Sequence, residues 1–169
     1  MAETNLHNYS VQEKLNKMDI DLIDIEPTVS TSAYQAADLM FEPVEIENAV
    51  SVNGGAAILQ SIAVANDDAL TGAFDIILTS NDDAPGDLND AVSGETGLSD
   101  ANADSILGIV SITNMVDVGG CSIGSKANIG LVLKAAADSK SIYAWGIAQS
   151  TDNPTATGGY KLRFGIVKD

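Results

Sequence analysis

From about residue 49 onward, apolar side chains recur at every second position, in short runs closed by Gly, Asn, Asp or Pro. Successive strand side chains point to opposite faces, so each such run can bury one face and wet the other. In "AILQSIAVA", Ile58, Ile62 and Val64 are expected on one face, with Gln60 between them on the same side. In "AFDIILT", Phe74, Ile76 and Leu78 oppose Asp75, Ile77 and Thr79; in "NIGLVLK", Ile129, Leu131 and Leu133 align. "SIYAWGIA" sets Tyr143, Trp145 and Ile147 against the small Ala144 and Gly146, with Trp145 expected in the core. In "YKLRFGIV", Tyr160, Leu162, Phe164 and Ile166 face inward, and Lys161 and Arg163 outward. "PVEIENAVSV" and "LGIVSITNMV" bring the total to about seven strands.

The connections "VNGG", "ANDD", "SNDDAPGD", "VGG" and "TDNPTATGG" are rich in turn residues. No long amphipathic helix separates the runs, which argues against a parallel sheet. One-sided strands must cover their apolar faces with a second sheet. The expectation is therefore all-β: an antiparallel β-sandwich, jelly-roll-like. A chain of 169 residues with 45% apolar side chains suffices for one domain with a real core. Its longest apolar run, residues 56–65, falls far short of the ~20 residues of a membrane span. The first residues lack the basic-then-apolar order of a signal peptide, and a lone Cys121 gives no internal disulfide. A soluble protein made without export is expected.

Residues 1–48 read differently. "SVQEKLNKM" suits two helical turns, with Ser10 as cap and Glu13 three residues on. "TSAYQAADLMF" suits another, capped by Thr31 or Ser32, and "MDIDLIDIEP" between them reads as extended, ended by Pro27. We expect an N-terminal arm over residues 1–48, extended and partly helical, and a sandwich domain over residues 49–169. The alternative, that this stretch supplies the domain's first strands, stays open.

Charge is uneven along the chain. Residues 1–48 carry ten acids and two lysines, and residues 49–104 ten acids and no base. Residues 105–169 carry four acids and six bases, and the whole chain has a formal charge of −16. Such a chain is repelled by nucleic acid and anionic membranes, so neither is an expected partner.

Catalytic residues are hard to find. Nucleophilic catalysis needs a base beside the nucleophile, and the one histidine, His7, lies seven residues from the start. Cys121 has only Lys126 near it in sequence to lower its pKa, and reads as a small buried hydrophobe. One Cys and one His make no zinc site. The glycine clusters "VNGGAA" and "GGCSIGS" lack the Lys and helix of a phosphate loop and read as turns. Paired carboxylates of the glycosidase kind would want sugar-stacking aromatics, which are 5% of the chain. In "SDANADSILGIVSI", Asp100, Asn102 and Asp104 alternate as in a calcium loop. However, Ser105 and Ser111 stand where an EF-hand needs Gly and Glu. The better reading is a short helix capped by Ser99, with Gly108 releasing the chain into a strand. The acidic loops at residues 66–68 and 80–90 offer oxygens that could clasp calcium between them, but solvated loops are the commoner case and the reading taken here. No catalytic residue, cofactor or metal ligand is expected.

Four stretches, "NGGAAILQSIAVANDD", "LSDANADSILGIVSI", "VDVGGCSIGSKANIGLVLKAAADSKSIYAWGIAQ" and "GGYKLRFGIVKD", together resemble small virion structural proteins of tailed bacteriophages, of the head decoration (cement) type. The resemblance covers about residues 51–167, leaves residues 1–48 outside, and brings no catalytic residues with it. It implies a non-enzymatic subunit on the capsid exterior, made in the host cytoplasm, whose partner is the major capsid protein. It also implies self-association as a homo-oligomer, a trimer where three-fold positions are used, with strand edges as docking sites. A carbohydrate-binding or adhesion module of a fibre or cell surface is the alternative, and would require exposed aromatics.

Overall fold

The computed structural model describes residues 19–92 and 103–168. Nine strands carry the chain: β1 (Asp19–Ile25), β2 (Leu39–Ile46), β3 (Ala56–Asn66), β4 (Phe74–Thr79), β5 (Ile106–Ile112), β6 (Val116–Asp117), β7 (Ser122–Lys134), β8 (Ile142–Ala148) and β9 (Tyr160–Lys168). They form two sheets, the first in the order β1-β9-β3-β7-β6 and the second β2-β8-β4-β5. Every pairing is antiparallel. The eight main strands nest like one long hairpin folded on itself: β1 pairs β9, β2 pairs β8, β3 pairs β7, and β4 pairs β5. All connections except β4 to β5 and β6 to β7 cross between the sheets. Nested pairs divided between two sheets define a jelly roll, so the all-β sandwich reading holds.

The inner faces make one core. β9 supplies Tyr160, Leu162, Phe164 and Ile166, and β4 supplies Phe74, Ile76 and Leu78, both with the alternation read from the sequence. Ile129 and Leu131 of β7 lean on the same core, and Leu133 is fully buried in it. The rings of Phe74 and Tyr160 meet edge to face, 5.8 Å apart.

Two strands depart from simple alternation. In β3, register against both β9 and β7 shifts between Leu59 and Ser61, making Gln60 an extra residue. A bulge reverses the phase of all that follows it. Leu59 and Ile62 therefore both point inward, while Ile58 points out. Opposite the bulge, β7 carries its own irregularity at residues 128–130, where Asn128 and Gly130 have φ of 56° and 69°. In β8, it is the small side that faces the core. Gly146 lies under the Phe41 ring so closely that an added Cβ would stand 2.2 Å from it. Trp145 is fully buried on the opposite side of the sheet. There it forms a second, smaller core with Leu39 and Ile77, flanked by Val92, Ile106 and Ile147. Residues 89–92 cover this cluster by pairing with residues 37–39, through Asn89 N–H to the Leu39 carbonyl and Leu39 N–H to the Asp90 carbonyl, each 2.9 Å.

The boundary at residue 48 is corrected. β1 is an edge strand of the first sheet and β2 of the second, so residues 19–48 belong to the sandwich. Acids at alternate positions hid this, because β1 "DIDLIDI" buries only part of one face. Pro27 does follow the extended segment, as read. "TSAYQAADLMF" is not a helix but a bend and turn leading into β2. Its Tyr34 is drawn inward, receiving the Ser30 N–H at 2.5 Å and donating to the Met40 carbonyl at 2.8 Å. The helix over "SVQEKLNKM" and the Ser99 cap lie outside the described residues; Ala103, where the description resumes, has helical geometry and leads through a turn into β5. Gly108 does not release the chain into β5. It lies within that strand, where a Cβ would stand 2.7 Å from the Leu131 side chain.

Candidate interaction surface

The outward side of the first sheet is where the fold exposes apolar side chains in an ordered array. Register places Ile20 beside Val167, Val167 beside Ile58, and Ile58 beside Val132, one row across four strands in which Val167 is itself covered by its neighbours. Ile20 and Leu22 are the most exposed large apolar residues described, at 65% and 64%, and Val132 is exposed as well. Toward the other end the row gives way to charge. Arg163 grips Asp24 with two parallel bonds, Nε to Oδ1 at 2.7 Å and Nη2 to Oδ2 at 2.8 Å. The guanidinium holds the Asp24 carboxyl below its ordinary range, chiefly through that hydrogen bond. Lys161 stands 3.7 Å from Glu26. At the rim, Lys168 pairs with Asp21 and donates to the Asn48 carbonyl at 2.7 Å.

The Asp24–Arg163 and Glu26–Lys161 pairs form one wall of a groove of about 710 Å³. Its floor is made of small residues, Ala63, Ala65 and Ser125, and Val116 and Ile123 close the far side. The β6–β7 hairpin raises that far wall, turning through Gly119 and Gly120 at φ 90° and 115°. Glycine tolerates such angles without strain, which agrees with reading that cluster as a turn.

The second sheet presents a different surface. Its strands carry Glu42, Glu45 and Asp75 and no base, and Asp82, Asp83, Asp87 and Asp90 follow on the connection after β4. Five of the six bases in the described residues sit on β7 and β9, in the first sheet. The lengthwise charge imbalance thus becomes a difference between two faces.

The residues singled out in the sequence do not converge. His7, Asp100 and Asn102 lie outside the described residues, and Asp104 is exposed just before β5. Cys121 is a free, partly exposed thiol in the β6–β7 hairpin, not a buried hydrophobe. The carboxylate of Asp68, in the "NDD" loop, accepts the Thr155 N–H at 2.7 Å and the Thr155 hydroxyl. Those bonds hold its pKa below the ordinary carboxylate range. Nearby, burial pushes Asp152 up, opposed by the Gly72 N–H and the Tyr160 hydroxyl, and pushes the Tyr160 phenol well up. This network stitches together the loops at one end of the sandwich. Among the described residues, no three of His, Cys, Asp and Glu gather as metal ligands would. Of the described aromatics only Tyr143 is partly exposed, whereas a sugar-binding module would show several. Sequence reasoning missed the apolar row, because each member falls in a different strand and only register brings them together.

By architecture the chain is a jelly-roll sandwich with one apolar, charge-paired face and one acidic face. No family model matches it, and no curated protein does. Among solved structures, a chain titled Desmodium yellow mottle tymovirus is 13% identical, with a TM-score of 0.28, covering 90% of this chain and 81% of that one. Strand order, not that likeness, assigns the fold here.

Proposed function

We propose that the chain is a non-enzymatic virion subunit, a head decoration (cement) protein of the tailed-bacteriophage kind. It is made in the host cytoplasm, binds the outer surface of the head shell through the major capsid protein, and self-associates there. The observation that carries this reading is the two-faced sandwich. A subunit that clamps a shell needs one face with buriable apolar surface and few unpaired charges, since burying an unpaired charge is costly. Its other face must stay wet and keep particles apart, which uniform acidity does. The first and second sheets divide along those lines. The jelly-roll order supports the reading without choosing it, since capsid domains, lectins and cupins all use it. Stabilisation would come from burying roughly 1,200–2,000 Å² per contact, repeated over many copies.

The test is to add the purified chain to shells that lack it. Saturable binding at a fixed ratio to shell subunits is expected, together with a higher temperature of shell disruption. Val132→Glu, on the apolar row, should abolish binding while the chain stays folded. Absence of the chain from purified particles by mass spectrometry would end the proposal.

A further inference from the structure

We infer that two copies of this chain pair through the free edge of β1, in antiparallel register centred on Leu22, joining their first sheets into one. Of the sheet edges, β6 is two residues long and covers only Ser122 and Ile123 of β7, whose remaining edge is broken by the shift opposite Gln60, and β2 is broken by register shifts on either side of Phe41. β5 pairs with β4 across a shift at Thr79. β1 alone runs seven residues in unbroken register, from Asp19↔Lys168 to Ile25↔Leu162. It has no Pro, no Lys and no bulge, the devices that usually blunt an edge. Among the described residues, its only backbone partner is β9. An inward-pointing charge is a further common guard, and Asp21 would serve as one, but Lys168 already pairs with it.

The acids and the strand's length together choose the register: centring on Ile23 also keeps acids apart but pairs only five residues of β1. A two-fold axis normal to the sheet keeps outward residues beside outward ones, so only alternate registers are open. Centring on Asp21 or Asp24 sets two like charges directly opposite, which is destabilising. Centring on Leu22 pairs all seven residues and faces each acid with an isoleucine: Asp19 with Ile25, Asp21 with Ile23, and Asp24 with Ile20. It also places the two Leu22 side chains, each 64% exposed in the single chain, against one another. Asp24 keeps its own Arg163 throughout. The occupant of this edge is a second copy because the same strand supplies both halves of the match. The inference rests on β1 and is independent of the virion reading.

Light scattering coupled to size exclusion on the full chain, without shells, tests it. The wild type is expected at twice the chain mass. Leu22→Lys and Leu22→Asp are each expected at one chain mass, with the wild-type circular-dichroism spectrum and the dimer dissociation constant raised at least tenfold. An equimolar mixture of the two variants should return to twice the chain mass, because opposite charges then meet on the axis. A wild-type monomer or trimer would overturn the pairing. So would a Leu22→Lys variant, or a Leu22→Asp variant, that still dimerises.

Discussion

Asp68 and Asp152 show how two carboxyls of one loop cluster acquire opposite roles. Asp68 is held ionised by the two bonds from Thr155, while desolvation makes Asp152 resist ionisation. For Asp68 the folded pKa lies below the unfolded value of about 3.9. Its contribution is therefore complete above that pH and lost as pH falls through the folded value. Asp152 has the opposite sign, contributing most in acid and less as pH rises through its elevated folded value. Asp68→Asn should accordingly flatten the acid limb. Its melting temperature should fall less than that of the wild type between pH 5 and pH 3, which melts followed across that range would check. Equal slopes for the two proteins would show that the Thr155 bonds carry no linked proton.

At the scale of the element, the bulge at Gln60 decides which side chains in each half of β3 face the core. Ile58 and Ile62 stand four residues apart and look equivalent in a period-two pattern. With one residue inserted between them, Ile62 is fully buried and Ile58 faces outward. Ile62→Ala should therefore cost about 2–5 kcal/mol as a core truncation, and Ile58→Ala less than about 1 kcal/mol as a surface change. Urea unfolding of the two variants measures the difference directly, and similar losses would place both side chains in the core. β8 teaches the same lesson. Its alternation was legible, but which side faced inward depended on Phe41 arriving over Gly146 from another strand. A large aromatic facing outward is not an error when residues 89–92 return to cover it.

For the whole molecule, the nested pairing makes the first strands indispensable. β1 closes the first sheet against β9, and β2 closes the second against β8. Removing residues 1–40 would delete β1 entirely and the start of β2, exposing Leu162, Phe164 and Ile166 along β9. We expect such a truncated chain to show no cooperative thermal transition by circular dichroism. A truncated chain that melts cooperatively would mean that residues 19–40 are dispensable after all. The topology also converts sequence order into surface. Among the described residues the bases all lie in the last third of the chain, and five of the six return, on β7 and β9, to the same sheet as the exposed row, while acids of the middle third coat the other side.

How much of this was already present in the residues follows from the range of the forces involved. Alternation is local, so strands β4, β7 and β9, their facing sides, the turns at Gly-rich segments and the two-sheet solution were legible from the sequence. Charge counts needed no structure either. Register, bulges and sheet order depend on contacts between residues far apart in the chain, such as Asp24 with Arg163 or Ile20 with Val167. So the membership of β1 and β2, the phase of β3, the side chosen by Trp145 and the apolar row beside a bare edge were decided only when those distant strands met.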